Sequence, residues 1–241
     1  MSRIAILKTG STRLTDTVRR RGGDYETWFA EVLQGAGADT VVIDAVRGAL
    51  PSTRDWDGIV ITGSPASVHD LEPWSERASA WIAAEVADNV PVLGVCYGHQ
   101  LLAHALGGET GPAAVHEVGM FPVQITSDDR LFADLPSRLP TYLIHYNEVT
   151  TLPPGASVLA HSERCPIQAF AFGDHVRAVQ WHPEFDAGGV REAISQDADT
   201  LRARGEDAGY LAEQVREVPY GTVLLENFVH KFVESRTVTA A

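Results

Sequence analysis

Cysteine is scarce in this chain: Cys96 and Cys165 are the only two in 241 residues. A secreted domain stapled by disulfides would carry more, so the thiols are expected to stay reduced, in a cytoplasmic setting. Positive charge is scarce too. Lys and Arg number 19 against 32 Asp and Glu, a formal net charge of −13. Phosphate-tracking surfaces are basic, so neither nucleic acid nor an anionic membrane is an expected partner. Long apolar runs are missing. The N-terminal run Ile4–Leu7 has the length of a strand, too short for a signal peptide or a membrane span. Low-complexity tracts, internal repeats and long linkers are also absent. A single domain over residues 1–241 is therefore expected, with a composition (44% hydrophobic) sufficient for a sizeable core.

What is present in the first half is an alternation of short apolar runs with helical patterns. Ile4–Leu7, Thr40–Asp44, Gly58–Thr62 and Pro91–Cys96 read as buried parallel strands, most of them bounded by Gly, Pro or Asp. Between them, Tyr25, Trp28, Phe29, Val32 and Leu33 form one apolar helical stripe, with Asp24 as N-cap and Gly35 or Gly37 as stop. A second helix is predicted from about Pro73 to Ala87. A third starts near Gly98 and ends at Gly107-Gly108. Strand–helix alternation implies an α/β fold, a doubly wound and mainly parallel sheet with helices on both faces. Ligands then bind beyond the carboxyl ends of the strands. The second half holds five strand-like runs in succession, from Phe121–Ile125 to Val176–Trp181, which suggest an antiparallel extension. A helical C-terminal segment follows over 188–236, its last helix running from about Val223 to Val233.

The chemistry concentrates in two short segments. Gly94-Val95-Cys96-Tyr97-Gly98-His99-Gln100 lies where a strand meets a helix. A nucleophile on such a turn is held clear of the sheet, and the flanking glycines let strand and helix approach; it is the thiol counterpart of the serine elbow. The helix that follows points its N-terminus at the sulfur and favours thiolate. The Tyr97 N–H is placed to stabilise an oxyanion, with the Ser64 N–H as the second donor. After a later strand, His182-Pro183-Glu184 supplies a base and a carboxylate to orient it. Cys96, His182 and Glu184 are thus the expected catalytic residues. Cys165, Trp28 and Trp74 read as structural. The histidine at 99 reads as a helix-start residue, and His145 is either pocket lining or structural. The nine histidines form no close group with cysteines and carboxylates in the sequence, so no metal and no cofactor is expected. Gly107-Gly108 lacks the lysine of a phosphate loop.

At these residues the sequence resembles the class I, triad-type glutamine amidotransferases, over most of its length up to His182–Phe185. The resemblance implies a flavodoxin-like domain and glutamine hydrolysis through a γ-glutamyl thioester, with Cys96 as nucleophile, His182 as base and Glu184 as orienting acid. It also implies that Gln100 contacts bound glutamine. Further segments, such as Asp24–Phe29 and Cys165–Phe170, are similar to a stand-alone branch that resembles the glutaminase half of GMP synthase and includes plant γ-glutamyl peptidases. Two departures fall near the expected pocket. Gly63-Ser64-Pro65 stands where many members have Gly-Gly-Pro, and Tyr146-Asn147 where synthase-linked members carry Gly-Asp after Ser-His. Gly63, Gln100, Tyr146 and Asn147 are accordingly the expected substrate-binding residues. Four readings stay open: a γ-glutamyl hydrolase on glutamine, a peptidase on glutathione-like peptides, an ammonia-donating subunit serving a synthetase or acceptor protein, and a silent γ-glutamyl-binding regulator.

Overall fold

Strand β1 (Arg3–Lys8) carries Ile4 and Ile6 on one face and Ala5 and Leu7 on the other, and all four are fully buried. A strand apolar on both faces needs a covering layer on each side. The computed structural model describes residues 1–235 and supplies both layers. In chain order the remaining elements are α1 (Thr15–Arg21), α2 (Tyr25–Gly35), β2 (Asp39–Asp44), β3 (Gly58–Ile61), α3 (Pro73–Ala87), β4 (Val92–Val95) and α4 (Tyr97–Ala105). They continue with β5 (Glu109–Ile125), β6 (Arg138–Thr151), β7 (Ala156–His161), β8 (Ala169–Phe172), β9 (Val176–Val179), α5 (Ala187–Gln196), α6 (Ala198–Ala203), α7 (Ala208–Gln214) and α8 (Tyr220–Phe228). A π-helical turn, Val229–Val233, prolongs α8.

The nine strands form one sheet in the order β2-β1-β3-β4-β9-β8-β7-β5-β6. From β2 to β9 every pairing is parallel; from β9 outward every pairing is antiparallel. The parallel half and the antiparallel extension both follow the expectation. Phe29 and Leu33 of α2, with Leu224 and Phe228 of α8, pack on the face that carries Ile4, Ile6 and Val60. Ala78 and Ile82 of α3, with Leu101 and Leu102 of α4, pack on the face that carries Leu7, Ile59 and Ile61.

Two local features differ from expectation. Helix α1 has no counterpart among the predicted elements, although Asp16 in its first turn, three arginines in its last and left-handed Gly22 at its C-cap match the dipole and stop rules. Strand β5 begins at Glu109, directly after the Gly107-Gly108 stop, and bulges let it continue as a bent ribbon against β6. The C-terminal segment is helical as expected, divided into four short helices, and Arg236 lies outside the described residues. No helix among the described residues is long and apolar enough to cross a membrane.

Candidate active site

The carboxyl ends of β1, β3, β4 and β9 lie along one edge, and the residues that follow them converge there. Cys96 follows β4 directly. Its backbone sits at φ 52°, ψ −103°, a conformation that L-residues rarely adopt and that persists only where surroundings impose it. The surroundings are tight: a Cβ on Gly94 would lie 2.4 Å from the Gly98 carbonyl oxygen, and one on Gly98 would lie 2.6 Å from that of Ile61. The Cys96 N–H donates to the Val179 carbonyl at 2.9 Å, tying the elbow to β9. Tyr97 is the first residue of α4, so its N–H has no acceptor within the helix. The Tyr97 side chain is turned away into the core, where its hydroxyl meets Ser75 Oγ at 2.7 Å.

His182 lies three residues beyond β9, and its N–H donates to the Tyr142 carbonyl at 2.8 Å. Its Nδ1 is 2.7 Å from Glu184 Oε1, across the Pro183 turn, and both side chains are buried. Phe185 stacks on the imidazole with centroids 4.3 Å apart. Burial opposes a charge on His182, but Glu184 and then Cys96 outweigh it, and the imidazole is raised to about 10. With Nδ1 given to Glu184, Nε2 is the nitrogen left for the Cys96 thiol. The three residues predicted as catalytic are therefore brought together, with a histidine held as a cation beside the sulfur.

A cavity of about 210 Å³ opens over Cys96. That is below the range of about 300–1,000 Å³ usual for drug-sized ligands and fits a small molecule. Ser64, Cys96, Tyr97, Gln100, Tyr146, Asn147 and His182 all line it, as does His145. Gly63 does not. Its carbonyl accepts from Thr9 and Thr62, and a Cβ there would lie 3.0 Å from His182 Cε1, so it spaces the imidazole rather than lining the cavity. The other histidine of the elbow, His99, is fully buried against Phe170 and does not line the cavity. Burial holds it at about 3, with the charge of His145 acting in the same direction, so it stays neutral.

Several lining residues carry no signal in the sequence. Thr12, Arg13 and Leu14 form one wall together with Tyr25, and Ala193, Gln196 and Asp197 of the α5–α6 junction form another. The Asp24 carboxylate links the first wall to α2, accepting from the Thr12 N–H at 3.0 Å and the Tyr25 N–H at 2.7 Å. The Tyr146 hydroxyl donates to Asp197 across the opening. Tyr25 is legible only as part of an apolar stripe, and nothing local distinguishes it from core. The expectation of no metal-like group needs correction in space. Glu117, His145 and Cys165, far apart in sequence, place ligand atoms within 4.8 Å of one another behind the cavity wall. The Glu117 carboxylate and both His145 ring nitrogens are engaged in hydrogen bonds within the protein.

Known proteins are similar to this chain in sequence and in fold. The family model for class-I glutamine amidotransferases matches residues 23–198, and the chain belongs to that family. It is accordingly an enzyme of the class that acts on amide C–N bonds. The glutamine-hydrolyzing GMP synthase of Thermomicrobium roseum is 37% identical over 169 residues, which cover 67% of this chain and 30% of the relative. A smaller relative from Pyrococcus abyssi, named as one subunit of a glutamine-hydrolyzing GMP synthase, is 32% identical over 172 residues, covering 68% of this chain and 85% of the relative. The crystal structure of a glutamine amidotransferase from Methylobacillus flagellatus superposes with a TM-score of 0.78 at 25% identity, over 97% of this chain and 95% of the other. The chain thus spans less than a third of the length of the Thermomicrobium synthase.

Proposed function

We propose that the chain hydrolyses the γ-amide bond of glutamine or of a small γ-glutamyl compound, with Cys96 as nucleophile. The observation that carries this reading is the Cys96 elbow, held at positive φ on the carboxyl edge of the sheet beside an imidazole that Glu184 keeps charged. The sulfur attacks the γ-carbonyl carbon, and the carbonyl oxygen becomes an oxyanion facing the N–H groups of Tyr97 and Ser64. His182 gives its Nε2 proton to the departing nitrogen, and ammonia or an amine leaves. The resulting γ-glutamyl thioester is then attacked by water, whose proton passes to His182, and glutamate is released with the thiolate restored. Glu184 holds the imidazole in orientation and stabilises its cation throughout. Gln100, Tyr146 and Asn147 bind the glutamyl portion.

A second reading is that the released ammonia serves a separate synthetase, and the similarity to a protein named as a GMP synthase subunit favours it. Glutamate release from glutamine, glutathione and γ-glutamyl dipeptides, compared with a Cys96→Ala control, tests the first reading. Turnover that the control lacks is expected. Equal release by both proteins would overturn the assignment. A strong rise in glutamine turnover on adding an ATP-dependent synthetase would establish the second reading.

A further inference from the structure

Behind the wall formed by His145 and Asn147 lies a polar cluster that the Cys96–His182–Glu184 set does not use. Glu117 on β5 and His145 on β6 are cross-strand partners, and both side chains are almost wholly buried. His145 Nε2 is 3.0 Å from Glu117 Oε2, and His145 Nδ1 is 3.0 Å from the Asn147 carbonyl oxygen. Glu117 also accepts from the Ser162 hydroxyl at 2.8 Å and from Gln168 Nε2 at 2.6 Å.

A backbone carbonyl offers only lone pairs, so Nδ1 must carry a proton. Ser162 Oγ accepts from the Cys165 N–H at 2.9 Å, which leaves its own proton for Glu117. One proton lies between Glu117 Oε2 and His145 Nε2, so every hydrogen bond of the pair is made whichever of the two holds it.

The pair acts on the cavity through one atom. The Asn147 carbonyl that receives His145 Nδ1–H also receives Gln100 Nε2–H, at 2.9 Å. The other amide hydrogen of Gln100 points to Gln180 Oε1, at 3.1 Å. Both donors of Gln100 are thus committed inward, and its remaining polar atom is Oε1, a pure acceptor. An acceptor on the wall of a γ-glutamyl cavity suits a cationic donor. We propose that Glu117 and His145 are positioning residues: a buried, hydrogen-bonded pair that fixes the Asn147 carbonyl and, through it, holds Gln100 as acceptor for the α-ammonium group of the substrate. This rests on the γ-glutamyl reading given above.

The test compares glutamine with glutaramate, which has the same terminal amide and no α-amino group. The wild type is expected to favour glutamine about ten- to a hundredfold in kcat/KM, the scale of one hydrogen bond to a charged group. Glu117→Gln and His145→Gln are each expected to erase most of that preference through KM for glutamine, while alkylation of Cys96 by iodoacetamide keeps its rate. A merely structural role would depress both substrates alike, and a preserved preference in folded variants would overturn the proposal. Should the variants fail to fold, ring-nitrogen NMR of the wild type decides. His145 Nδ1 is expected to carry a proton, donated to the Asn147 carbonyl; a tautomer with its proton on Nε2 alone would sink the pair. A wild type silent toward every γ-glutamyl compound would instead defeat the function reading and with it the α-ammonium assignment, while the nitrogen shifts would still judge the pair on its own.

Discussion

Glu184→Gln removes a charge and keeps the shape of the side chain. In the wild type the carboxylate sits 2.7 Å from His182 Nδ1, with both groups buried. At an effective dielectric of about 20, that separation bounds the attraction at about 6 kcal/mol. Removing one partner of a buried pair costs about 3–5 kcal/mol. If the whole of it falls on the reacting state, kcat drops about a hundred- to several-thousandfold. The direction with pH also follows. Burial alone would lower His182 from its ordinary value, and Glu184 is the largest of the influences that lift it to about 10. In the variant only Cys96 is left to oppose burial, so the cation is held less firmly and is lost at lower pH than in the wild type. Two assays read this: glutamate release under saturating glutamine, and the rate of Cys96 alkylation across pH. The expected result is a fall in kcat, together with an alkylation rate at neutral pH well below that of the wild type. A Glu184→Gln protein that keeps wild-type kcat and a wild-type alkylation profile would refute the role given to the carboxylate.

Three further outcomes are expected. Gly63→Ala places a Cβ 3.0 Å from His182 Cε1, so the imidazole must shift by a few tenths of an ångström against the hold of Glu184 and Phe185, and kcat should fall about three- to tenfold with a small fall in melting temperature. Asp24→Ala should cost about 1 kcal/mol in denaturant unfolding by removing the N-cap of α2, and should raise KM because the Thr12 N–H loses its anchor. His182 binds its proton more tightly folded than unfolded, so its contribution to stability is complete below about pH 6.5 and is lost as pH rises toward 10. Unfolding free energy should therefore decline across that window in the wild type and decline less in Glu184→Gln.

The parallel half of the fold is legible in the sequence because each of its strands is apolar and each helix announces itself. Asp24 caps α2 and Pro73 opens α3 at the residues expected. The Cys96–His182–Glu184 set is legible for a related reason. Its members lie within five residues of a strand end, where local sequence fixes their direction. The cavity walls are not. Arg13 lies in a loop and Asp197 caps the end of α5, nothing local points either at the opening, and only tertiary packing brings them there. Gly63 is expected on the cavity because it neighbours Ser64, but one residue of turn directs it at the imidazole instead. The Glu117–His145 pair cannot be seen at all. It depends on a strand register across a bulged ribbon, which no spacing along the chain encodes.

The most direct test of the account is to treat the protein with a γ-glutamyl electrophile, a glutamine analogue with a reactive ketone in place of the amide, and map the adduct by mass spectrometry. One γ-glutamyl adduct on Cys96 is expected, suppressed by glutamine and lost in Cys96→Ala. No adduct on Cys96, or labelling of Cys165 in its place, would contradict the assignment of Cys96 as the nucleophile.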